Sequence, residues 1–267
     1  MNFPLMRSPL LFVLALSLPA LIGCKSSDPL HAAGSGETQY YIPEDHGPPL
    51  RALPTNLHFP TVTRHECMAT AQRYLEHTWT PSEKNIFHGI DADGIRVDTP
   101  NSAYKPSGTF PGWWVPGLMN RGIPYQWGGF STIEEFDQGI ANGRYAGDIY
   151  TPQKRAQLDD AVSKHAVGID CSGFVSRCWK LPRSFSTREL PKLCVELKSY
   201  DDLLPGDILN THNAHVLLFS HWLDHDRKSF VTYETGSPPT WKVLRHGLRC
   251  SQLLGLGYKP YRYRNMR

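Results

Sequence analysis

The chain has 267 residues, 40% of them hydrophobic, 20% charged and 11% aromatic, with a formal net charge of +3. That length holds one large domain or two small ones, and so mild a charge, with no dense basic stripe, argues against a nucleic-acid partner. The 22 Gly and 22 Pro predict many turns rather than long helices. In chain order, Arg7 precedes an apolar run from Pro9 to Ile22. A membrane span needs about 20 such residues, so residues 1–23 read as a secretory signal peptide. Residues 24–60 are rich in Pro, Gly, Ser and His, keep no strand or helix period, and are expected to be a flexible tether. An ordered domain is expected over 61–267.

That domain opens on a predicted helix, "TVTRHECMATAQRYLEHTW", with Thr63 as N-cap, Glu66 three residues on, and an apolar stripe of Cys67, Ala71, Tyr74 and Leu75. Loop-like sequence follows. Its Asp91-Ala92-Asp93-Gly94 lacks the remaining ligands of a calcium loop and reads as a plain turn. "GIPYQWGGFST" is turn-rich and aromatic, "STIEEFDQGIANGRY" and "TPQKRAQLDDAVSKH" read as helices, and "GIDCSGFVSRCWKL" reads as a turn entering a helix. "DDLLPGDILN" leads through a Pro-Gly turn into a strand. "AHVLLFSHWL" and "SFVTYETG" are strands joined as a hairpin, and "GLGYKPYRYR" is a final strand. Helices first and strands after predict an α+β domain, with N-terminal helices packed on one side of a C-terminal antiparallel β-sheet.

The helix that begins at Asp170 or Cys171 carries the chemistry. Asp170 is a preferred N-cap residue. Cys171 then lies in the first turn, where the helix dipole favours an anion such as a reactive thiolate. Gly173 sacrifices about 1 kcal/mol of helix propensity, which suits a site where another backbone or a substrate comes close. The Asp170 charge opposes a neighbouring thiolate unless capping or a substrate amine uses it. Cys178 stands about 10.5 Å along the axis from Cys171, beyond the roughly 7 Å a disulfide allows; it is expected to be buried filler. Cys67, Cys178, Cys194 and Cys250 permit three pairings, and spacing chooses none.

A cysteine nucleophile needs a base, usually a histidine oriented by a third polar group. His215 opens the strand "HVLLF", with Leu217 and Phe219 on its face. If the hairpin loop is only Asp224-His225, Glu234 stands directly opposite His215, able to hold its tautomer; a longer loop breaks that register. His212, His221 and His225 are expected at the surface or in turns, and neither a metal site nor a cofactor is expected.

In family order, "PYQWGG" (124–129), "DCSGFV" (170–175), "LLPGDIL" (203–209) and "HVLLF" (215–219) resemble the NlpC-type cysteine peptidases, papain-like endopeptidases of the bacterial cell wall. The resemblance covers about residues 110–235. It implies a papain-like fold, Cys171 as nucleophile and His215 as base and later acid. It implies that Tyr125 frames the oxyanion site, that Tyr125, Asp170 and Ser172 meet the substrate near its free amine, and that Trp127, Gly128 and Gly129 shape the groove. The partners it implies are peptidoglycan stem peptides, cut after D-glutamate. Two departures stand out: the family's third polar residue is commonly His, Asn or Gln where this chain offers Glu234, and about 40 residues separate Gly129 from Asp170, an insertion at about 130–168. An amidase of the related CHAP type, which often uses Cys, His and Glu, and a wall-binding lipoprotein without catalysis are the competing readings.

Leu21-Ile22-Gly23-Cys24 resembles a bacterial lipobox, which implies lipidation of Cys24 and an exported, membrane-anchored protein in a compartment that permits disulfides. Lys25 is not the Asp that retains lipoproteins in an inner membrane, so an outer membrane, where there is one, is the expected site. Oligomeric state is not legible.

Overall fold

Thr63 and Glu66 cap the first helix reciprocally: the Thr63 hydroxyl accepts from the Glu66 N–H at 3.2 Å, and a Glu66 carboxylate oxygen accepts from the Thr63 N–H at 2.9 Å. This helix, α1 (Arg64–Glu76), buries Cys67, Thr70, Ala71 and Tyr74. The computed structural model describes residues 58–105, 111–236 and 241–267, all within the unit Tyr40–Arg267. The expected signal peptide, Cys24 and nearly all of the expected tether lie outside the described residues.

Three two-stranded ladders precede the main sheet: β1 (Thr78–Trp79) with β4 (Asn120–Arg121), β2 (His88–Ile90) with β3 (Arg96–Asp98), and β5 (Tyr145–Ala146) with β6 (Ala166–Val167). Between β2 and β3 the Asp91 carboxylate accepts from the N–H groups of Asp93 and Ile95, the plain turn expected there. Helix α2 (Ile133–Ala141) starts on a second capping box, Thr132 with Glu135. The helix expected from Thr151 is shorter than its sequence suggests. Helix α3 (Pro152–Gln157) stops where Leu158 turns to a positive φ of 53°, and a single tighter turn, Leu158–Ala161, follows. Helix α4 (Cys171–Cys178) carries the cysteine.

The sheet that follows has six strands: β7 (Cys194–Glu196), β8 (Ile208–Asn210), β9 (Val216–Trp222), β10 (Ser229–Thr235), β11 (Val243–Arg249) and β12 (Lys259–Tyr263). Their order is β11-β10-β9-β8-β12-β7, antiparallel throughout, so the chain is α+β with its principal sheet at the C-terminal end. Strand β11 and the short helix α5 (Cys250–Leu254) after it were not among the predicted elements. Alternation along the strands divides the core. Ile208, Val216, Leu218, Tyr233 and Val243 face α1 and α4, where they meet Tyr74, Phe174, Val175 and Cys178. Leu209, Leu217, Phe219, Phe230 and Leu248 face the other way, onto Leu203, Leu253 and Tyr258. The sheet is thus covered on both faces, not on one as expected, because α5 and the chain into β12 fold back over the second.

The β9–β10 hairpin also differs from expectation. The connection runs from Leu223 to Lys228 rather than over two residues, and a bulge falls between Val231 and Thr232. Thr232 pairs with Phe219 and Tyr233 with Leu218. Continued one step, this register sets Glu234 opposite Leu217, so His215 and Glu234 are diagonal rather than direct partners. A shift of two residues preserves the pleat, and both side chains stay on one face.

Candidate active site

Helix α4 owes its start to Asp170. A carboxylate oxygen of Asp170 accepts from the Gly173 N–H at 2.5 Å and from the Ser172 hydroxyl at 3.0 Å. The Asp170 N–H donates to the Gly129 carbonyl at 3.1 Å, which ties "DCSG" to "WGG". Burial pushes the Asp170 carboxyl up to about 6, against the lowering effect of the Gly173 N–H, the Ser172 hydroxyl and the Gly128 backbone. One oxygen of its carboxylate, Oδ1, is therefore engaged in capping. Gly173 is the close approach expected of it: a Cβ there would lie 2.1 Å from the Gly129 carbonyl oxygen. The half-buried Cys171 is the first residue of α4 and packs at the edge of the main core.

His215 stands one residue before β9, at the end of the sheet. It meets the start of α4 on one side and β10 on the other. Its Nε2 is hydrogen-bonded to Glu234 Oε2, which leaves Nδ1 as the ring nitrogen available to the sulfur. Burial works against a charged imidazole, but Tyr258, Cys171 and Glu234 together outweigh it and hold His215 well above the ordinary imidazole value. Burial works equally against the Glu234 carboxylate; His215 and His246 overcome it and keep Glu234 well below the ordinary carboxylate range. The second imidazole is a residue that sequence reasoning missed. His246 Nε2 lies 2.7 Å from Glu234 Oε1, at ion-pair distance, although neither of its ring nitrogens is aligned for a straight hydrogen bond. Its signal was present in "VLRHGLR", where Leu244, His246 and Leu248 alternate at strand spacing.

Tyr125 is buried beside this group. Its N–H donates to the Trp241 carbonyl at 2.8 Å, and Gly236, at φ +128°, lies so close that a Cβ would stand 2.6 Å from the Tyr125 ring. Burial first, then the charges of Asp170 and Cys171, raise the Tyr125 phenol well above its ordinary value and keep it a neutral donor. Trp127 is turned to another task. Its indole N–H donates to the Leu158 carbonyl at 3.1 Å, and its ring lies beside Tyr150 and 6.0 Å from the Arg155 guanidinium. Residues 130–168 thus pack against Trp127 rather than standing apart, and Ile149 and Ala161 join Tyr125, Trp127 and Trp241 in one cluster.

The structure therefore brings Cys171, His215 and Glu234 together, with Tyr125, Asp170, Ser172, Gly128 and Gly129 around the start of α4. Trp127 sits one layer out. His212, His221 and His225 are exposed. Cys67, Cys171, Cys178, Cys194 and Cys250 are all free thiols, with Cys178 fully buried against Cys67. Among the described residues no cluster of His, Cys, Asp or Glu has the geometry to hold a metal ion. The arrangement can form a thiolate–imidazolium pair, back it with a buried carboxylate, and offer donors beside it. In comparisons with known proteins, no family model matches the chain, and neither a curated protein nor a solved structure does.

Proposed function

We propose that this protein is a papain-like cysteine peptidase of the NlpC type, exported and lipid-anchored at Cys24, that hydrolyses peptide bonds in peptidoglycan stems. The observation that carries this reading is the line from Cys171 at the start of α4, through His215, to Glu234 Oε2. The Cys171 thiolate attacks the peptide carbonyl while the helix start and Tyr125 favour the developing oxyanion. His215, held as imidazolium by Glu234, gives its proton to the leaving amine. Water then attacks the thioester with His215 as base, releasing the acid and restoring the thiol. Asp170 keeps a carboxylate at the edge of the site for a substrate amine, which suits a stem peptide with a free N-terminus.

Glu234 itself favours a second reading, an amidase of the CHAP type that cuts between muramic acid and the stem, because such sites often pair His with Glu. Incubation with purified muropeptides, beside Cys171→Ala, separates the readings by mass spectrometry. Stems cut after D-glutamate by the wild type alone support the peptidase. Release of whole stems supports the amidase. No product, with Cys171 inert to a thiol alkylator, would leave a wall-binding role.

A further inference from the structure

Three contributors to this site lie across three neighbouring strands: His215 at the mouth of β9, Glu234 on β10 and His246 on β11. Glu234 is 8% exposed and each of its two carboxylate oxygens is met by an imidazole, Oε2 by His215 and Oε1 by His246. A carboxylate pinned at one oxygen can still turn about its last torsion. One met at both oxygens cannot turn without losing a contact. Thr232, directly opposite His246 on β10, is fully buried, and its hydroxyl has no hydrogen-bond partner, so it does not compete for Glu234.

We propose that His246 is a positioning residue of the candidate active site: by its contact with Glu234 Oε1 it holds the carboxylate so that Oε2 stays on His215. The residue acts through Glu234, does not touch the reacting sulfur, and extends the Cys171–His215–Glu234 line to a fourth member. The groups that face His215 are Cys171 from α4, Tyr258 from the chain ahead of β12, and Glu234 from β10, with His246 behind Glu234 on β11. The inference rests on the cysteine-peptidase reading for its activity readout but not for its thiol readout.

The test uses the full chain with His246→Phe, which keeps the ring and removes its nitrogens, and His246→Gln, which keeps a donor. Chloroacetate is the first probe. It alkylates the thiolate best beside a cationic imidazole, so the alkaline edge of its rate profile follows loss of the His215 proton, whatever the substrate. The expected result is that His246→Phe moves this edge down by about one pH unit, that muropeptide cleavage loses about tenfold in kcat with KM unchanged, and that His246→Gln restores most of both. An unchanged edge in His246→Phe overturns the proposal. So does an equal loss in both variants accompanied by an equal drop in melting temperature, which marks a role in folding alone. Wild-type alkylation with a bell-shaped profile but no muropeptide cleavage would refute the peptidase reading, while the edge in His246→Phe would still decide the role of His246.

Discussion

At the scale of single residues, the site depends on the buried negative charge of Glu234, met by an imidazole at each oxygen. Glu234 contributes to stability because its folded value lies below the ordinary 4.5; that contribution is complete above 4.5 and drains away as pH falls below it. His215 has the opposite sign. Its raised value contributes stability that is complete below the ordinary 6.5 and lost as pH climbs through the higher folded value. Glu234→Gln breaks both. Cleavage should fall by about 100-fold, and urea unfolding at pH 7 should show a loss of about 3 kcal/mol, the scale of a broken buried ion pair. Below pH 4.5 the variant's stability should fall less steeply than that of the wild type. A variant that matches wild type in activity would remove Glu234 from the catalytic line.

At the scale of elements, α4 is placed by contact between two backbones. An alanine at 173 would gain about 1 kcal/mol of helix propensity, yet its Cβ would lie 2.1 Å from the Gly129 carbonyl oxygen, and neither backbone is free to give. Overpacking should win: Gly173→Ala should lose about 3 kcal/mol in chemical denaturation, with the Cys171 alkylation rate falling as the helix start shifts. A gain in stability would show that "DCSG" and "WGG" do not touch. The hairpin teaches a related lesson. Its longer connection and the bulge after Val231 move the register by two, and the pair His215–Glu234 survives only because side chains repeat every second residue.

At the scale of the whole molecule, the segment 130–168 is tied down by a buried charge pair. Lys154 Nζ donates to the Arg96 carbonyl at 2.6 Å and to Asp148 Oδ2, while Asp148 Oδ1 accepts from the Asp98 N–H at 3.1 Å. This joins α3 to β3 and to the "PYQW" stretch, whose Tyr125 and Trp127 exchange backbone hydrogen bonds with Asp148. Burial pushes the Asp148 carboxyl up to about 7 against the pull of Lys154. Lys154→Ala should therefore cost about 3 kcal/mol at pH 8.5, where Asp148 is ionised, and less at pH 6, where a neutral carboxyl needs no counter-charge. Asp148→Asn with Lys154→Met should return to within about 1 kcal/mol of wild type. Equal losses at both pH values would mean that packing of the lysine stem, not charge, anchors the segment.

What the amino-acid order determined by itself was local. Thr63 with Glu66 and Asp170 ahead of Cys171 mark helix starts because a cap needs only the next turn. The alternation in "HVLLF" and "SFVTYET" marks strands because a pleat repeats within two residues. From these came the α+β class, the first-turn cysteine and the placing of His215 and Glu234 on one face of their strands. Only the tertiary structure decided what depends on distant pairing: β12 inserted between β8 and β7, the second covered face of the sheet, the two-residue shift of register, Trp127 turned onto Leu158, and His246 behind Glu234. Each is a choice among partners far apart in the chain. Such choices are settled by bulges, loop length and burial on both sides at once, which no single segment encodes.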